Sequence, residues 1–172
     1  MNILLTGGAG YIGSHICYTL VDLGYTVSTI DNLSTGNKNL IPKEVKHINC
    51  DISDVQTVTS LIKNNKFDVV IHLAAFTRVG ESVKHPEKYF SNNFDKARIF
   101  IDTCLNNGLK KFIFSSTGSV YGNLDSNINI KENEATNPIN PYSKSKLKFE
   151  NYLINETIKK KAFCTILRYF NV

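Results

Sequence analysis

The feature that most constrains this chain is a glycine-rich turn near its start. Asn2-Ile-Leu-Leu-Thr6 predicts a buried strand, glycines follow at Gly7, Gly10 and Gly13, and residues 14–23 carry apolar side chains at helical spacing. This order favours pyrophosphate binding, because glycines let the backbone approach closely and a helix start offers free N–H groups and a positive dipole end. An ordinary glycine-rich turn between strand and helix is the alternative.

Apolar runs and helical patterns alternate along the rest of the chain. They predict strands over residues 25–30, 45–48, 67–75, 111–114 and 162–168, and helices over residues 55–63, 86–107 and from Pro141 to about Lys160. The alternation predicts one α/β domain with a doubly wound parallel sheet, the NAD(P)-binding Rossmann fold, and 172 residues can bury a real core. We expect His72 to be a packed core histidine rather than a ligand, since no metal partner stands at ligand spacing.

Charge and cysteine content argue against several other classes of protein. The net charge is 20 − 15 = +5, but the lysines are scattered, and the run Lys159-Lys160-Lys161 is better explained as a solvated helix end than as a nucleic-acid patch. The four cysteines are far apart and form no C-x-x-C pair, which predicts reduced thiols. No leader and no apolar run of about 20 residues is present, so we expect a cytoplasmic protein without membrane contact.

An aspartate follows the second predicted strand. Asp31 stands 18 residues after Gly13, and an acidic residue about 20 positions past such a loop accepts hydrogen bonds from adenosine ribose hydroxyls. Its carboxylate would repel a 2′-phosphate, so NAD is favoured over NADP. The other interpretation is a solvated turn aspartate.

A tyrosine and a lysine stand four residues apart near the start of the last predicted helix. Tyr142-Ser-Lys-Ser-Lys146 places both on one helix face, and an ammonium group nearby favours the phenolate of a tyrosine that must accept a proton. Thr117, at the end of an earlier strand, can supply a hydroxyl to the same substrate oxygen. Taken alone, the spacing is better explained as an exposed helix pair. The glycine loop upstream, the Ser/Thr-rich strand end and the placement on a helix together favour chemistry.

Motifs along the whole chain make the sequence resemble the extended short-chain dehydrogenase/reductases, and among them most closely the UDP-glucose 4-epimerase family. The matching stretches are Thr6-Gly-Gly-Ala-Gly-Tyr-Ile-Gly-Ser-His15, Asp31-Asn32-Leu33, Asp51-Ile52, Val79-Gly-Glu-Ser82, Phe112-Ile-Phe-Ser-Ser116, Val120-Tyr-Gly122, Pro141-Tyr-Ser-Lys-Ser-Lys146 and Leu167-Arg-Tyr-Phe-Asn171. They occur in the order found in the family.

The resemblance implies a role for each matching position. Tyr142 would be the acid/base, Lys146 would bind the nicotinamide ribose, Thr117 would be the hydroxyl partner, and Asn171 would contact the nucleotide-sugar. The implied NAD site comprises Gly7, Gly10, Tyr11, Ile12 and Gly13 at the pyrophosphate, Asp31, Asn32, Leu33, Ser34, Thr35 and Gly36 around the ribose, Asp51 and Ile52 at the adenine, and Leu73, Ala74, Ala75, Phe76, Thr77, Asn92, Thr117, Tyr142, Lys146 and Phe170 along the remainder.

The implied reaction interconverts UDP-glucose and UDP-galactose through a 4-keto sugar with tightly held NAD and no net redox change. Two departures stand near the implied nicotinamide: Thr77 replaces a lysine of some epimerases, and Thr117 replaces a serine. Related 4,6-dehydratases carry an Asp-Glu pair directly after that threonine. This chain has Gly118-Ser119 there, which argues against dehydration.

Family members continue for about as long again. The resemblance therefore implies that residues 1–172 form the NAD-binding domain without the family's C-terminal substrate domain, and that this part alone has weak or no epimerase activity. A non-catalytic NAD-binding module and an epimerase acting on another nucleotide-sugar remain open. The resemblance also implies a homodimer through the helices 86–107 and 142–160, which could instead merely cover the sheet.

Overall fold

A single parallel sheet of six strands organises the computed structural model, which describes residues 1–123 and 129–170. The spatial order β3-β2-β1-β4-β5-β6 places β1 beside β4, and each neighbouring pair is parallel. This confirms the predicted doubly wound Rossmann sheet. The strands are β1 (Asn2–Thr6), β2 (Thr26–Ile30), β3 (Lys46–Ile48), β4 (Val69–His72), β5 (Lys111–Thr117) and β6 (Phe163–Tyr169).

Helices connect the strands. They are α1 (Tyr11–Asp22), α2 (Val55–Asn64), α3 (Val79–Lys84), α4 (Pro86–Phe90), α5 (Ala97–Asn106) and α6 (Pro141–Lys159). A π-helical segment, Ser91–Lys96, joins α4 to α5, so the helix predicted over 86–107 is continuous but widens at its centre, while α3 was not predicted as a helix. Within residues 1–123 and 129–170, no helix is both long and apolar enough to cross a membrane.

The chain leaves the sheet earlier at β4 than the apolar run 67–75 predicts. Val69–His72 is the strand, and the next two residues turn away because the N–H groups of Leu73 and Ala74 each donate to Thr6 Oγ1 over 3.2 Å. Two strands are thus tied together where they end. The predicted strand was too long at this edge, which is where a ligand can approach the backbone.

Strand β5, in contrast, is longer than the sequence predicts. The polar residues after Phe114 predict that the strand stops there, but it continues to Thr117, which pairs with Tyr169 of β6. Ser116 and Thr117 are nevertheless buried. Polar side chains in a buried strand end indicate a functional edge rather than a loop.

His72 lies in the core, as predicted. It is 2 % exposed, its ring stands 5.4–5.7 Å from the ring centroids of Phe100, Phe114 and Phe149, and Nδ1 is 2.7 Å from Thr6 Oγ1. Burial lowers its pKa to about 3, so the ring is neutral at physiological pH. It braces the ends of β1 and β4 against the aromatic core.

Candidate active site

A cleft of about 750 Å³ lies beyond the carboxyl ends of β1 and β4, at the point where the strand order reverses. Open α/β sheets bind ligands at this switch point. The cleft is lined by nearly all of the predicted site residues, namely Gly7, Gly10, Tyr11, Ile12, Gly13, Asp31, Asn32, Ser34, Thr35, Gly36, Asp51, Ile52, Leu73, Ala74, Ala75, Phe76, Thr77, Asn92, Thr117, Tyr142, Lys146 and Phe170.

Among the described residues of the prediction, Leu33 does not line the cleft. Leu33 adopts a left-handed backbone conformation, φ 58°, and donates its N–H to Asp31 Oδ1 at 2.8 Å, so it shapes the loop without facing the cleft. Asn171, expected to contact the nucleotide-sugar, lies outside the described residues.

Steric contacts require glycine at two positions of the glycine turn. A Cβ on Gly13 would stand 2.0 Å from the carbonyl oxygen of Gly7, and Gly7 itself has a φ of +82° and packs against the Ala74 backbone. Helix α1 begins at Tyr11, three residues earlier than the apolar spacing predicts, with Gly10 as its N-cap and no side chain capping it. The first N–H groups of the helix are therefore left to a ligand at the cleft floor.

Asp31 fixes the next part of the cleft wall. Its two carboxylate oxygens accept N–H groups from Ala9 in the glycine turn, at 2.9 Å, and from Leu33, at 2.8 Å. A carboxylate offers about four lone-pair sites, so ribose hydroxyls can donate to those that remain. Its place beside the glycine turn is the one predicted for the ribose.

An ion pair defines the far end of the cleft, where the adenine was predicted. Lys96 Nζ lies 2.6 Å from Asp51 Oδ2, and Ser53 donates its N–H and hydroxyl to Oδ1. Burial raises the pKa of Asp51, but hydrogen bonds from Lys96 and Ser53 outweigh it and bring the pKa to about 2. Sequence reasoning missed Lys96, because its partner is 45 residues away.

The opposite end of the cleft carries Tyr142 at the start of α6. Asn140 caps this helix in a reciprocal capping box with Ser143, and Pro141 occupies its first turn, so the position of Tyr142 is well determined. Burial raises the pKa of the phenol, while a hydrogen bond with Thr117 acts in the opposite direction. A cation placed beside the ring would lower the pKa further.

Lys146 lies one turn further along α6 and is 3 % exposed. Its Nζ stands 4.6 Å from the ring centroid of Phe114. Burial lowers the pKa of the amine to about 7, and the charge of Glu150 partly opposes that shift. A buried amine poised near neutral pH is a mark of a functional site.

Asn93 supports the cleft wall without lining the cleft, and the sequence prediction missed it. Its side chain accepts the N–H of Phe76 and donates to the carbonyl of Phe76, each over 2.9 Å, and also donates to Ser145 Oγ at 3.3 Å. It joins the cleft wall after β4 to the helix that carries Tyr142. The one available signal was an Asn-Asn pair inside an otherwise amphipathic helix.

Ser116 is a second residue that the sequence prediction missed. Its hydroxyl is buried, and it is one of two buried side-chain polar atoms in residues 1–123 and 129–170 that have no hydrogen-bond partner. Ser116 lines the cleft, so a ligand there can satisfy it. Further lining residues outside the prediction are Ile30, Cys50, Arg78, Glu81, Lys88, Ser115 and Tyr169.

The sequence profile of the NAD dependent epimerase/dehydratase family matches residues 3–172. The chain is 41% identical over 170 residues to a UDP-glucose 4-epimerase of Azospirillum brasilense, covering 99% of the chain and 49% of that protein. It is 37% identical over 180 residues to UDP-arabinose 4-epimerase 1 of Arabidopsis thaliana, covering 99% and 43%.

A solved structure gives the same result. The chain is similar to UDP-glucose 4-epimerase from Brucella ovis in complex with NAD, with a TM-score of 0.94 and 38% identity, over 99% of this chain and 52% of that one. The chain thus spans about half the length of the relatives it matches.

Proposed function

Because the chain belongs to the NAD dependent epimerase/dehydratase family, we propose that it carries the NAD site and the acid/base residues of a UDP-sugar 4-epimerase. One observation supports this above the others. A single cleft has a glycine turn and an open helix start at its floor, and Tyr142, Thr117 and Lys146 at its other end.

The residues of the cleft fit NAD. The turn admits no Cβ at Gly13, the N–H groups at the start of α1 suit a pyrophosphate, and Asp31 suits a ribose that lacks a 2′-phosphate. Ser116 offers a hydroxyl without a partner among the described residues. When bound, NAD supplies a reversible acceptor for the hydride at C4 of the sugar.

The chain's own residues would handle the proton. Tyr142 Oη would take the proton of the sugar 4-hydroxyl, Thr117 would orient that oxygen through its hydroxyl, and Lys146 as ammonium would favour the phenolate. The proton would return to the same oxygen after the ketone has turned over, so the product differs from the substrate only at C4.

The family description also includes dehydratases, and Gly118 argues against that chemistry here. A Cβ on Gly118 would stand 2.7 Å from ring atoms of Phe170, so a side chain directly after Thr117 would require that ring to shift. The sequence departure and the packing therefore favour epimerisation.

For the sugar, we propose UDP-glucose and UDP-galactose. The Azospirillum relative is named a UDP-glucose 4-epimerase. The Arabidopsis relative is named for UDP-arabinose, which makes a UDP-pentose the second candidate.

For the assembly, we propose a homodimer of the whole protein. Ile154 and Ile158, one turn apart on α6, are exposed and support that face as a contact surface.

Replacing Tyr142 by phenylalanine tests the proposal. With UDP-galactose and NAD, we expect the Tyr142→Phe variant of the whole protein to lose at least ~100-fold in conversion, measured by NMR of the sugar at C4, because the ring stays and only the proton carrier goes. Tyr18→Phe, on the exposed face of α1, is the matched control. Turnover at the parental rate would contradict the assignment, and NAD uptake with no turnover of any UDP-sugar by the parent would favour a non-catalytic NAD-binding module.

A further inference from the structure

A buried charge network that the proposed reaction does not use lies behind Lys146. Glu150 is 1 % exposed, and Arg168 of β6 donates to it through Nη2 at 2.7 Å and through Nε at 3.2 and 3.3 Å to the two oxygens. Arg168 Nη1 also donates to Tyr121 Oη at 2.7 Å and to the carbonyl of Glu132 at 3.2 Å. Such a pair is rarely the most stable solution for a protein interior, so its presence beside an active-site lysine calls for an explanation.

The helix places this network on the face of the acid/base residues. Tyr142, Lys146 and Glu150 follow one another at intervals of four residues, and residues so spaced share one side of a helix. Among the residues that the structure describes, none of the four ion pairs includes Lys146. Glu150 therefore acts on Lys146 through space rather than through a hydrogen bond.

The other groups facing Lys146 cannot replace that negative charge. His72 on β4 is neutral, Phe114 on β5 offers only its ring, and Tyr142 is an uncharged phenol until it gives up its proton. Arg168 on β6 is positive and is engaged with Glu150. Glu150 is the one carboxylate within this set.

We propose that Glu150 is a positioning residue for Lys146: its buried carboxylate, paired with Arg168, holds the Lys146 amine in its ammonium form on the helix face shared with Tyr142. The proposal depends on the proposed function in one respect: an ammonium group at Lys146 has a use because it favours the phenolate of Tyr142.

The test measures the protonation of Lys146 directly, in the absence of NAD. The chain is labelled with ¹³C at lysine Cε, and Lys146 is assigned by its loss in Lys146→Met and titrated by NMR. In Glu150→Gln we expect the titration midpoint of Lys146 to fall by about one pH unit, which leaves about a five-fold smaller ammonium fraction at pH 7.

Two further variants keep the test decisive. Glu150→Gln leaves the partly buried Arg168 without its carboxylate partner, so the double variant Glu150→Gln/Arg168→Gln removes both charges of the pair. The midpoint should fall again, by less than in the single variant, because a positive charge near Lys146 is removed as well. Glu156→Gln is the matched control, since Glu156 lies on the same helix but pairs with Lys159 at the surface, and it should leave the midpoint within ~0.2 units.

A folded double variant with an unchanged Lys146 midpoint would overturn the proposal, since a purely structural ion pair changes stability without moving that titration. The result does not depend on epimerase activity. Failure of NAD uptake or of the Tyr142→Phe test would contradict the proposed function and leave this measurement standing.

Discussion

The two ends of the cleft are formed by different kinds of chemical group. The end under the glycine turn is made of backbone: the shape of residues 7–13, the N–H groups at the start of α1, and a carboxylate that fastens the turn. The end at α6 is made of titratable side chains held in an apolar interior, with Tyr142, Lys146 and Glu150 all buried or partly buried. The first end depends on steric fit and the second on the balance of charge against burial, so substitutions should affect them in different ways.

Gly13→Ala should have the largest effect, because the first end tolerates no added atom. The new Cβ would collide with the carbonyl oxygen of Gly7, 2.0 Å away, and neither backbone can move freely. We expect the free energy of unfolding to fall by about 2–4 kcal/mol and NAD binding to weaken at least ~100-fold.

Gly80→Ala is the matched control for that variant. Gly80 lies in α3, and a Cβ there meets nothing within 4 Å, so it should leave stability unchanged or raise it by up to about 1 kcal/mol. Urea unfolding and NAD titration measure both. Parental stability and NAD affinity in Gly13→Ala would mean that fit at the turn is not what defines this end.

Lys146→Met should raise the free energy of unfolding rather than lower it, because a buried charge at the α6 end of the cleft costs stability. The pKa of Lys146 is about 7 in the folded chain and about 10.4 unfolded, so the unfolded state binds more protons between those values. The contribution of this lysine to parental stability therefore improves as pH rises from 7 to about 10, and Lys146→Met lacks that change.

At pH 6 we expect Lys146→Met to be more stable than the parent by about 1–3 kcal/mol, with the advantage shrinking towards pH 10. Urea unfolding of both proteins at the two pH values checks this. A variant less stable than the parent at pH 6 would show that the lysine is an ordinary core contact.

Asp31→Asn should have the smallest effect of the three, because it keeps the size of the side chain and removes one charge and one of the two hydrogen bonds that Asp31 accepts from the backbone. We expect NAD affinity to fall about ten-fold, since charge-assisted hydrogen bonds become neutral ones, and discrimination against NADP to fall with it. Asp22→Asn, exposed at the end of α1, is the control. Calorimetric titration of both cofactors measures the ratio of NAD affinity to NADP affinity. An unchanged ratio would contradict the placement of Asp31 at the ribose.

The difference between the two ends also explains what the sequence could predict. The turn at residues 7–13 is local, so its glycine spacing alone indicates a strand, a tight turn and a helix. The structure has all three, with the helix beginning three residues earlier than predicted. The Tyr142–Lys146 spacing is local too. Both sets of residues could therefore be predicted from the sequence, although their roles rest on family resemblance.

The contacts that support the rest of the cleft are not local. Lys96 pairs with Asp51, Asn93 clamps Phe76, and Arg168 pairs with Glu150, across 45, 17 and 18 residues of chain. No period or spacing in the sequence marks such partners, since each depends on how the strands and helices are placed around the sheet. The π-helical segment Ser91–Lys96, which carries Asn93, had no sequence signal for the same reason.

The most direct test of the account is whether NAD binds in this cleft beside Tyr142. The chain is labelled with ¹³C at tyrosine Cζ, the Tyr142 resonance is assigned from Tyr142→Phe, and NAD is titrated into it. The account predicts a saturable shift of that resonance, complete at about one NAD per chain and absent in Gly13→Ala. A chain that carries no NAD and takes none up, or that binds it with the Tyr142 resonance unmoved, would contradict it.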